Sequence, residues 1–431
     1  MGESVCGVGD VDGDGFADFA VGAPGGGFGG QVTVYSGATG AVVYALNGMA
    51  PVEAFGRSIA PAEDADGDGI PDLLVGAPIA SPAGVPVAGT GRLFSGATGS
   101  LLLAFDGTDV LGQLTYSIAS LGDVTGDGIP DILAGAPFAD TSGLTDTGRV
   151  RIISGADGAA VLDLEGSAFS ENFGRSVARI GDVNGDGLPD FAVGADGANP
   201  SGMSPVGQVT LRSGADGTPL FTWSGANSFE KLGFSVAGLG DVDGDGTGDV
   251  AAGRPGSNPG VPLFAGAVDV FSGAAGSLLL SIPGPVPVGT LGAAVGPSSD
   301  VDFDGVPDLV AGAYSAQSGS FSNSGFAGVF SGSTGTLLAS TWGSGQNQQL
   351  GSSVNGLGDV NGDGAPDFAA GAPIAGFPGL PGGGYGYARV FSAAGIPTGS
   401  TLFGPGCPGT GGVTPGMTTM GGPPSASAGN P

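Results

Sequence analysis

Short apolar segments alternate with glycine- and proline-rich stretches along the whole of this 431-residue chain. The segments are rich in Val, Ile, Leu and Phe and are bounded by Gly, Asp and Pro, a pattern that predicts β-strands. No apolar stripe has the spacing of an amphipathic helix. The pattern therefore predicts an all-β protein.

Residues 173–223 show how the predicted strands are arranged. Apolar segments at 173–180, 191–195, 208–212 and 219–223 predict four strands. Ser213–Gly217 has the composition of a tight hairpin turn between the third and the fourth. Each unit of this kind predicts a small antiparallel sheet.

An Asp-rich loop between the first two strands recurs seven times, starting at Asp10, Asp64, Asp123, Asp182, Asp241, Asp300 and Asp359. The spacing is 54 residues once and then 59 residues five times. Fixed periods of this size are typical of propellers and solenoids. Seven units of four antiparallel strands predict a seven-bladed β-propeller. A β-solenoid is the alternative, although neither end resembles a solenoid cap.

The predicted domain is a propeller over residues 1–403, followed by a Gly/Pro/Ser/Thr-rich tail or linker at 404–431. The predicted blades are 1–49, 50–108, 109–167, 168–226, 227–285, 286–344 and 345–403. This phase leaves no spare N-terminal strand to complete the last blade. We expect the ring to close by packing between the first and last blades, or through a strand supplied by a segment preceding Met1.

The formal net charge of −30 comes mainly from the repeated loops, which hold 25 of the 40 acidic residues. The ten basic residues form no cluster in the sequence, which argues against a nucleic-acid partner. Histidine is absent, so the commonest general base is missing. No apolar stretch is long enough to span a membrane, and the N-terminus shows no signal peptide.

The two cysteines, Cys6 and Cys407, form neither a disulfide framework nor a zinc site. Cys6 occupies the position that holds Ala60, Ala119 and Ala178 in other repeats. This alignment predicts a small core residue at Cys6.

Each loop offers side-chain oxygens at positions 1, 3, 5 and 9 and a backbone carbonyl at position 7, which suits calcium. Glycine at position 6 permits a sharp turn, and position 4 is glycine except at Phe303, where we expect some distortion. The candidate ligands are Asp10, Asp12, Asp14, Phe16 and Asp18; Asp64, Asp66, Asp68, Ile70 and Asp72; Asp123, Thr125, Asp127, Ile129 and Asp131; Asp182, Asn184, Asp186, Leu188 and Asp190; Asp241, Asp243, Asp245, Thr247 and Asp249; Asp300, Asp302, Asp304, Val306 and Asp308; and Asp359, Asn361, Asp363, Ala365 and Asp367.

Position 3 is Asp in four loops and Thr125, Asn184 or Asn361 in the other three. We expect the four-Asp loops to bind Ca²⁺ more tightly, because ligand charge helps to set affinity. Up to seven Ca²⁺ ions are predicted. A single loop of this kind could be a polar turn without metal, but seven in register favour metal binding.

Phe-Gly pairs at Phe55-Gly56 and Phe173-Gly174, the Asp loops, and Gly-Ala-Pro triplets such as Gly22–Pro24 resemble the FG-GAP repeats of integrin α-subunit propellers and their bacterial relatives. The resemblance covers residues 1–403, and the composition is closer to the bacterial type. Leu replaces Phe in blades five to seven, and blade three has Leu114-Thr115. The resemblance implies a calcium-stabilised propeller used for adhesion or ligand binding, secreted or on the cell surface.

Topology predicts that the metal loops lie at one end of the blades and the long variable loops at the other. Aromatic residues on the variable loops are candidate ligand anchors, namely Phe169, Phe229, Phe264, Tyr314, Phe377, Tyr385 and Tyr387. Tyr385 and Tyr387, which lie among glycines, are the preferred exposed anchors. Packing against neighbouring blades is the alternative role for all of these residues.

Three functions are compatible with the sequence. The favoured one is a non-enzymatic module that binds a protein or carbohydrate, because no catalytic set is visible. A structural surface or spacer component is the second. The third is part of a polysaccharide-degrading enzyme, which would need Tyr, Arg or the single lysine, Lys231, as its base.

Overall fold

The computed structural model describes residues 1–200, 202, 204–257, 264–373, 386–392 and 401–403, the last three by their backbone. These residues form 28 strands and one 3₁₀ turn, Pro82–Gly84, with no α-helix among them. The predicted tail at 404–431 lies outside the described residues.

The strands fall into seven consecutive groups of four within the described residues. Blade 1 has β1 Ser4–Gly9, β2 Asp18–Ala23, β3 Gln31–Tyr35 and β4 Val42–Asn47. Blade 2 has β5 Ser58–Pro61, β6 Leu73–Ala77, β7 Thr90–Phe94 and β8 Leu101–Asp106. Blade 3 has β9 Ser117–Gly122, β10 Asp131–Ala136, β11 Arg149–Ile153 and β12 Ala160–Glu165. Blade 4 has β13 Phe173–Gly181, β14 Asp190–Ala195, β15 Gln208–Arg212 and β16 Pro219–Ser224.

The remaining blades follow the same plan. Blade 5 has β17 Ser235–Gly240, β18 Asp249–Arg254, β19 Ala267–Phe271 and β20 Leu278–Pro283. Blade 6 has β21 Ala294–Ser298, β22 Asp308–Ala313, β23 Phe326–Phe330 and β24 Leu337–Trp342. Blade 7 has β25 Ser353–Gly358, β26 Asp367–Ala372, β27 Tyr387–Ser392 and β28 Thr401–Phe403.

Each group forms one antiparallel sheet in which the strands are hydrogen-bonded in sequence order. In blade 4, for example, Val193 pairs with Val177 on one side and Thr210 on the other. The first strands of successive blades contact one another in a closed ring, from β1 through β25 and back to β1. The described residues therefore form the predicted seven-bladed propeller, with the first strands innermost.

Burial across each sheet explains the apolar pattern of the sequence. The second strands, such as Asp18–Ala23 and Asp190–Ala195, are buried along their whole length because sheets pack against both of their faces. The fourth strands, such as Val42–Asn47, lie at the rim and are largely exposed. Each apolar cluster joins two neighbouring blades, as where Val32 of blade 1 meets Phe55 and Val75 of blade 2.

The repeated glycines have a direct packing role at the blade interfaces. A side chain at Gly22 would collide with the carbonyl of Gly56 in the next blade, and Gly194 stands in the same relation to Gly233. A serine on the first strand donates to that same carbonyl, as in Ser4 Oγ to Gly56 O at 2.8 Å. The equivalent donors are Ser58, Ser117, Ser176, Ser235 and Ser353.

The ring closes through the same contacts that join the other blades. Ser353 Oγ of blade 7 donates to Gly2 O of blade 1 at 3.2 Å, and a side chain at Gly371 would collide with that carbonyl. Val5 and Phe19 of blade 1 share a core with Leu357 and Ala369 of blade 7. Blade 7 is a complete four-stranded sheet built from its own strands. Of the two predicted routes to closure, the structure shows the packing of blade 1 against blade 7.

Candidate metal loops and ligand-binding face

Each Asp loop begins where the innermost strand ends. In blades 1, 3, 4, 5 and 7 the pairing of the first two strands shifts register just before the loop, as between Arg179 and Gly181. Such bulges turn a strand out of its sheet and re-aim the residues that follow. The bulge therefore directs the loop away from the inner ring.

Backbone amides and carboxylates hold each loop in a tight coil. In blade 1, Asp10 Oδ1 accepts from the N–H groups of Gly13 at 2.8 Å and Asp14 at 3.1 Å. Its Oδ2 accepts from Gly15 N–H at 2.8 Å. Asp14 Oδ1 accepts from Phe16 N–H at 2.9 Å. The same bonds recur in other blades, so the acidic side chains are positioned before any cation binds.

The aspartate at position 9 is buried and connects two loops of its blade. Asp18 is 0% exposed, and its Oδ2 accepts from Val11 N–H at 2.8 Å. Its Oδ1 accepts from Gly37 N–H at 2.9 Å in the turn between the third and fourth strands. The role predicted for this residue was metal ligation; the structure adds a second role, as a brace between the metal loop and the Ser-Gly turn.

Four loops bring three carboxylates together closely enough to share a cation, with candidate ligand oxygens within 4.8 Å of one another. These are the four loops that have Asp at position 3. The groups are Asp10, Asp12 and Asp18; Asp64, Asp66 and Asp72; Asp241, Asp243 and Asp249; and Asp300, Asp302 and Asp304. The oxygen-rich donor sets fit a hard divalent cation such as Ca²⁺.

Burial and hydrogen bonds shift the pKa values of the loop carboxyls in opposite directions. Burial raises the pKa of Asp18 and Asp249 at position 9, and raises that of Asp367 to about 7. At position 5 of blade 4, a hydrogen bond from Leu188 N–H lowers the pKa of Asp186. A bound cation would favour the ionised form of the buried carboxyl by supplying an opposite charge.

Phe303 distorts the sixth loop, as its position predicts. The position 4 residue adopts a left-handed backbone in every loop, with φ of 77° at Gly13 and 59° at Phe303. In the other six loops, the backbone N–H of the position 4 glycine donates to the position 1 aspartate. In the sixth loop, whose residues are all described, Asp300 accepts from Asp304 N–H but not from Phe303 N–H. Phe303 is 70% exposed, so little packing offsets the strained backbone.

A second set of equivalent residues lies at the opposite end of the inner strands. These residues immediately precede the first strand of each blade, except in blade 4, where the strand already includes the residue. We call them the mouth ring: Glu3, Arg57, Tyr116, Arg175, Phe234, Ala293 and Ser352. This ring was not predicted from the sequence, although its residues have the same spacing as the metal loops.

The mouth ring encloses a cavity of about 360 Å³ at the centre of this face. Tyr116 Oη accepts hydrogen bonds from Arg57 Nη2 at 3.2 Å and from Arg175 Nη1. Arg57 also pairs with Glu3. Tyr314, one of the predicted anchors, lines the cavity.

Exposed apolar residues lie on the connections between blades, at the same end of the blades as the mouth ring. We call Val52, Leu111, Phe229 and Val288 the apolar crown. They occupy equivalent positions in blade connections, have φ between 56° and 65°, and are at least half exposed, Val52 at 78%. Such backbone conformations are costly for β-branched residues and tend to persist at functional sites. Phe169 and Phe264 are also exposed on this face.

The expectation of an exposed anchor at Tyr387 is wrong. Tyr387 is 4% exposed and packs in a core with Leu350 and Phe368, and its hydroxyl donates to Gln348 Oε1 at 2.8 Å. Glycine neighbours suggested exposure, but Tyr387 is the first residue of β27, the third strand of blade 7, and its ring is buried there. Phe377 and Tyr385 lie outside the described residues.

Buried polar residues stabilise the blade connections on this face. Their role was not predicted from the sequence. Glu53, Glu171, Glu230 and Gln348 each accept from the backbone N–H of the residue four positions earlier. Arg92 makes two hydrogen bonds to Glu53, at 2.8 and 2.9 Å. Their spacing in multiples of 59 residues was the available signal.

The repeat and the propeller geometry define the class of protein. Residues 1–35, 55–94, 115–153 and 173–211 match the FG-GAP repeat family and are FG-GAP repeats. The chain is an all-β, integrin alpha-like propeller.

Integrin alpha chains are similar to nearly half of the sequence. The identity is 33% over 216 residues with integrin alpha-V of Gallus gallus, covering 47% of this chain and 20% of the relative. The identity with integrin alpha-5 of Xenopus laevis is 33% over 215 residues, covering 46% of this chain and 20% of the relative. The identity with integrin alpha-IIb of Homo sapiens is 35% over 220 residues, covering 44% of this chain and 20% of the relative. The matched part spans about a fifth of the length of these relatives.

Among the described residues there is no helix of the length and apolar character needed to cross a membrane.

Proposed function

We propose that the chain is a calcium-stabilised, non-enzymatic adhesion or ligand-binding propeller that acts outside the cell or on its surface. The observation that carries the proposal is a division between the two faces of the propeller. One face holds the Asp loops, which suit cations, and the other holds the cavity enclosed by the mouth ring and the exposed apolar crown on the blade connections. Similarity to integrin alpha chains supports the same function.

Calcium has a structural role in this proposal. The loops lie at one end of the blades, where Asp18 and its equivalents join two loops of the same blade. A cation bound to Asp10, Asp12 and Asp18 would offset the repulsion between carboxylates and fasten the loop to the strand that follows. Up to seven ions would bind, most tightly in the four loops with Asp at position 3.

Chelation tests the metal. Removing Ca²⁺ with a chelator should lower the melting temperature, and restoring Ca²⁺ should recover it. Asp186→Asn should weaken the calcium effect in blade 4. Asp216→Asn is the matched control, because Asp216 lies in the neighbouring exposed turn, where its Oδ1 accepts from Thr218 N–H at 2.9 Å. An unchanged melting temperature after chelation would refute the structural role of calcium.

The ligand in this proposal is a protein that covers the crown face. Val52, Leu111, Phe229 and Val288 are more than half exposed on the blade connections of this face. Exposed apolar residues grouped around a polar centre are typical of protein-binding surfaces. The sugar-binding and spacer alternatives give no reason to keep strained apolar residues exposed.

Binding can be tested with a panel of purified extracellular-matrix proteins and glycans in Ca²⁺. We expect a matrix protein to bind the wild-type chain, and Phe229→Ser to weaken it at least tenfold. Leu278→Ser is the matched control, since Leu278 is 55% exposed on an outer fourth strand, away from the crown. Equal loss in both variants, or binding of none of the panel, would contradict the proposal.

A further inference from the structure

Arg175 of the mouth ring lines the cavity and lies against two aromatic rings. Its guanidinium lies 4.8 Å from the ring centre of Tyr116 and 4.4 Å from that of Phe234. Rings on two sides hold a planar guanidinium in place and leave its N–H edges available for hydrogen bonds. One of these edges donates to Tyr116 Oη, and the residue lines the central cavity.

The positive charge of Arg175 has no carboxylate partner within the described part of the chain. Arg57 pairs with Glu3, Arg92 with Glu53 and Arg254 with both Glu230 and Asp269, whereas no ion pair involves Arg175. Arg212, Arg389 and Lys231 also form no ion pair with the described residues, but of these four cations Arg175 is the one that lines the cavity. Lys231, whose ammonium lies 5.9 Å from the Phe234 ring, adds a second positive charge nearby.

From this geometry we infer that the mouth ring receives the carboxylate of an aspartate or glutamate side chain from a protein partner. A guanidinium held by two rings is suited to bind a carboxylate through two parallel hydrogen bonds. The remaining cavity wall includes Gln349 and Ser352, which could bond the backbone of the incoming segment.

The apolar crown favours a protein over other sources of a carboxylate. Interfaces commonly have an arginine or aromatic anchor near the centre and a surround that excludes water. Here Arg175 lines the cavity, and Val52, Leu111, Phe229 and Val288 are exposed on the blade connections of the same face. An acidic sugar would use the central charge but not the crown. The inference thus rests on the proposed function and specifies the partner as an acidic segment of a protein.

The experiment uses the full chain in Ca²⁺ and capped peptides that present one Asp between apolar residues. Their affinity is compared with that of the same peptides carrying Asn or Lys in place of Asp. We expect the Asp peptides to bind at least tenfold more tightly than the Asn or Lys forms. Arg175→Met should remove this preference, because methionine keeps the apolar stem and lacks the charge.

Arg179→Met is the matched control. Arg179 lies on the same strand, β13, at the end nearer the metal loops, and pairs with Glu63. Arg179→Met should leave peptide affinity unchanged, and melting temperatures should show that both variants are folded. Loss of affinity in Arg179→Met equal to that in Arg175→Met would overturn the inference.

Other outcomes would also overturn it. Equal binding of Asp and Asn peptides would show that no carboxylate is selected, and preference for Lys would show that the mouth ring selects cations. Tighter binding of glucuronate than of the Asp peptides would assign the site to an acidic glycan. Concentration-dependent dimers lost in Arg175→Met would assign it to a second copy of this acidic chain. If Phe229→Ser still abolishes matrix-protein binding while Arg175→Met does not, the proposed function stands and only this inference fails.

Discussion

At the residue scale, the repeat shows which positions depend on backbone geometry and which on side-chain chemistry. Gly13 and Gly15 are required in the first metal loop because both adopt positive φ, at 77° and 91°. Thr115 takes the place of the glycine in the Phe-Gly pair and adopts φ of 69°. Its Oγ1 donates to Thr90 O at 2.9 Å, which helps to hold the strained conformation.

Phe303→Gly should stabilise the protein. The substitution removes an unfavourable left-handed backbone from an exposed residue, and we expect a gain of roughly 0.5–1 kcal/mol after the greater freedom of glycine in the unfolded chain is counted. Chemical denaturation in Ca²⁺ measures the gain. The reciprocal change Gly185→Phe in blade 4 should destabilise, and a stabilising Gly185→Phe would disprove the strain argument.

Glu53 should make stability depend on pH. Burial raises the pKa of Glu53, but hydrogen bonds from Arg92 and Met49 N–H outweigh it and hold the pKa below its usual value of 4.5. A lowered pKa stabilises the fold above pH 4.5, and that contribution is lost as the pH falls through the folded-state pKa.

Glu53→Gln should therefore cost about 3 kcal/mol at neutral pH, because it leaves Arg92 buried without its partner. The difference in unfolding free energy between wild type and Glu53→Gln should shrink as the pH falls below 4.5. Chemical denaturation at several pH values measures it. A difference that stays constant with pH would show that the ion pair contributes nothing.

At the scale of the element, the inner strands carry both a chemical role and an assembly role. One end of each strand leads into a metal loop, and the other bears a residue of the mouth ring. The serine near the mouth end joins each blade to the next through a carbonyl, as Ser117 does with Gly174 O at 2.9 Å. Blade 6 lacks this bond because the equivalent residue is Ala294.

Ala294→Ser should supply the missing bond to Gly351 O. A single hydrogen bond of this type contributes about 1 kcal/mol, so we expect a stabilisation of that size. Thermal or chemical unfolding measures it, with Ser235→Ala in blade 5 as the converse change. If Ala294→Ser is neutral while Ser235→Ala is destabilising, the backbone of blade 6 must hold the two groups too far apart.

The element boundaries in blade 4 were largely predictable from the sequence. The third strand was predicted at 208–212 and is observed there, because Gly207 and the Ser213 turn limit it on both sides. Tyr387 was misplaced because its glycine-rich surroundings gave no sign that the residue lies at the buried start of a strand. Burial of an aromatic residue depends on the neighbouring blade, which local sequence does not reveal.

At the scale of the whole molecule, the ring is closed by packing rather than by a shared strand. The core at this seam joins Val5 and Phe19 of blade 1 to Leu357 of blade 7. Closure brings together residues more than 350 positions apart, as Ser353 and Gly2 show. The seam is therefore the interface with the highest entropic cost of formation.

Leu357→Ala should destabilise the protein by about 2–4 kcal/mol and increase hydrogen exchange in β1 and β25. Leu239→Ala is the matched control, since Leu239 is the equivalent residue of blade 5 and faces the core shared with blade 6. We expect Leu239→Ala to leave exchange at the seam unchanged. Equal exchange in β1 for both variants would show that the seam has no special weakness.

The sequence by itself determined the number of blades, the strand order and the loops suited to cations, because these depend on local patterns repeated at a fixed period. Only the tertiary structure showed that the residues preceding the first strands meet in one ring, and that Arg175 in this ring lies between Tyr116 and Phe234. These three residues are 59 positions apart along the chain, and the circular arrangement of the blades brings them into contact.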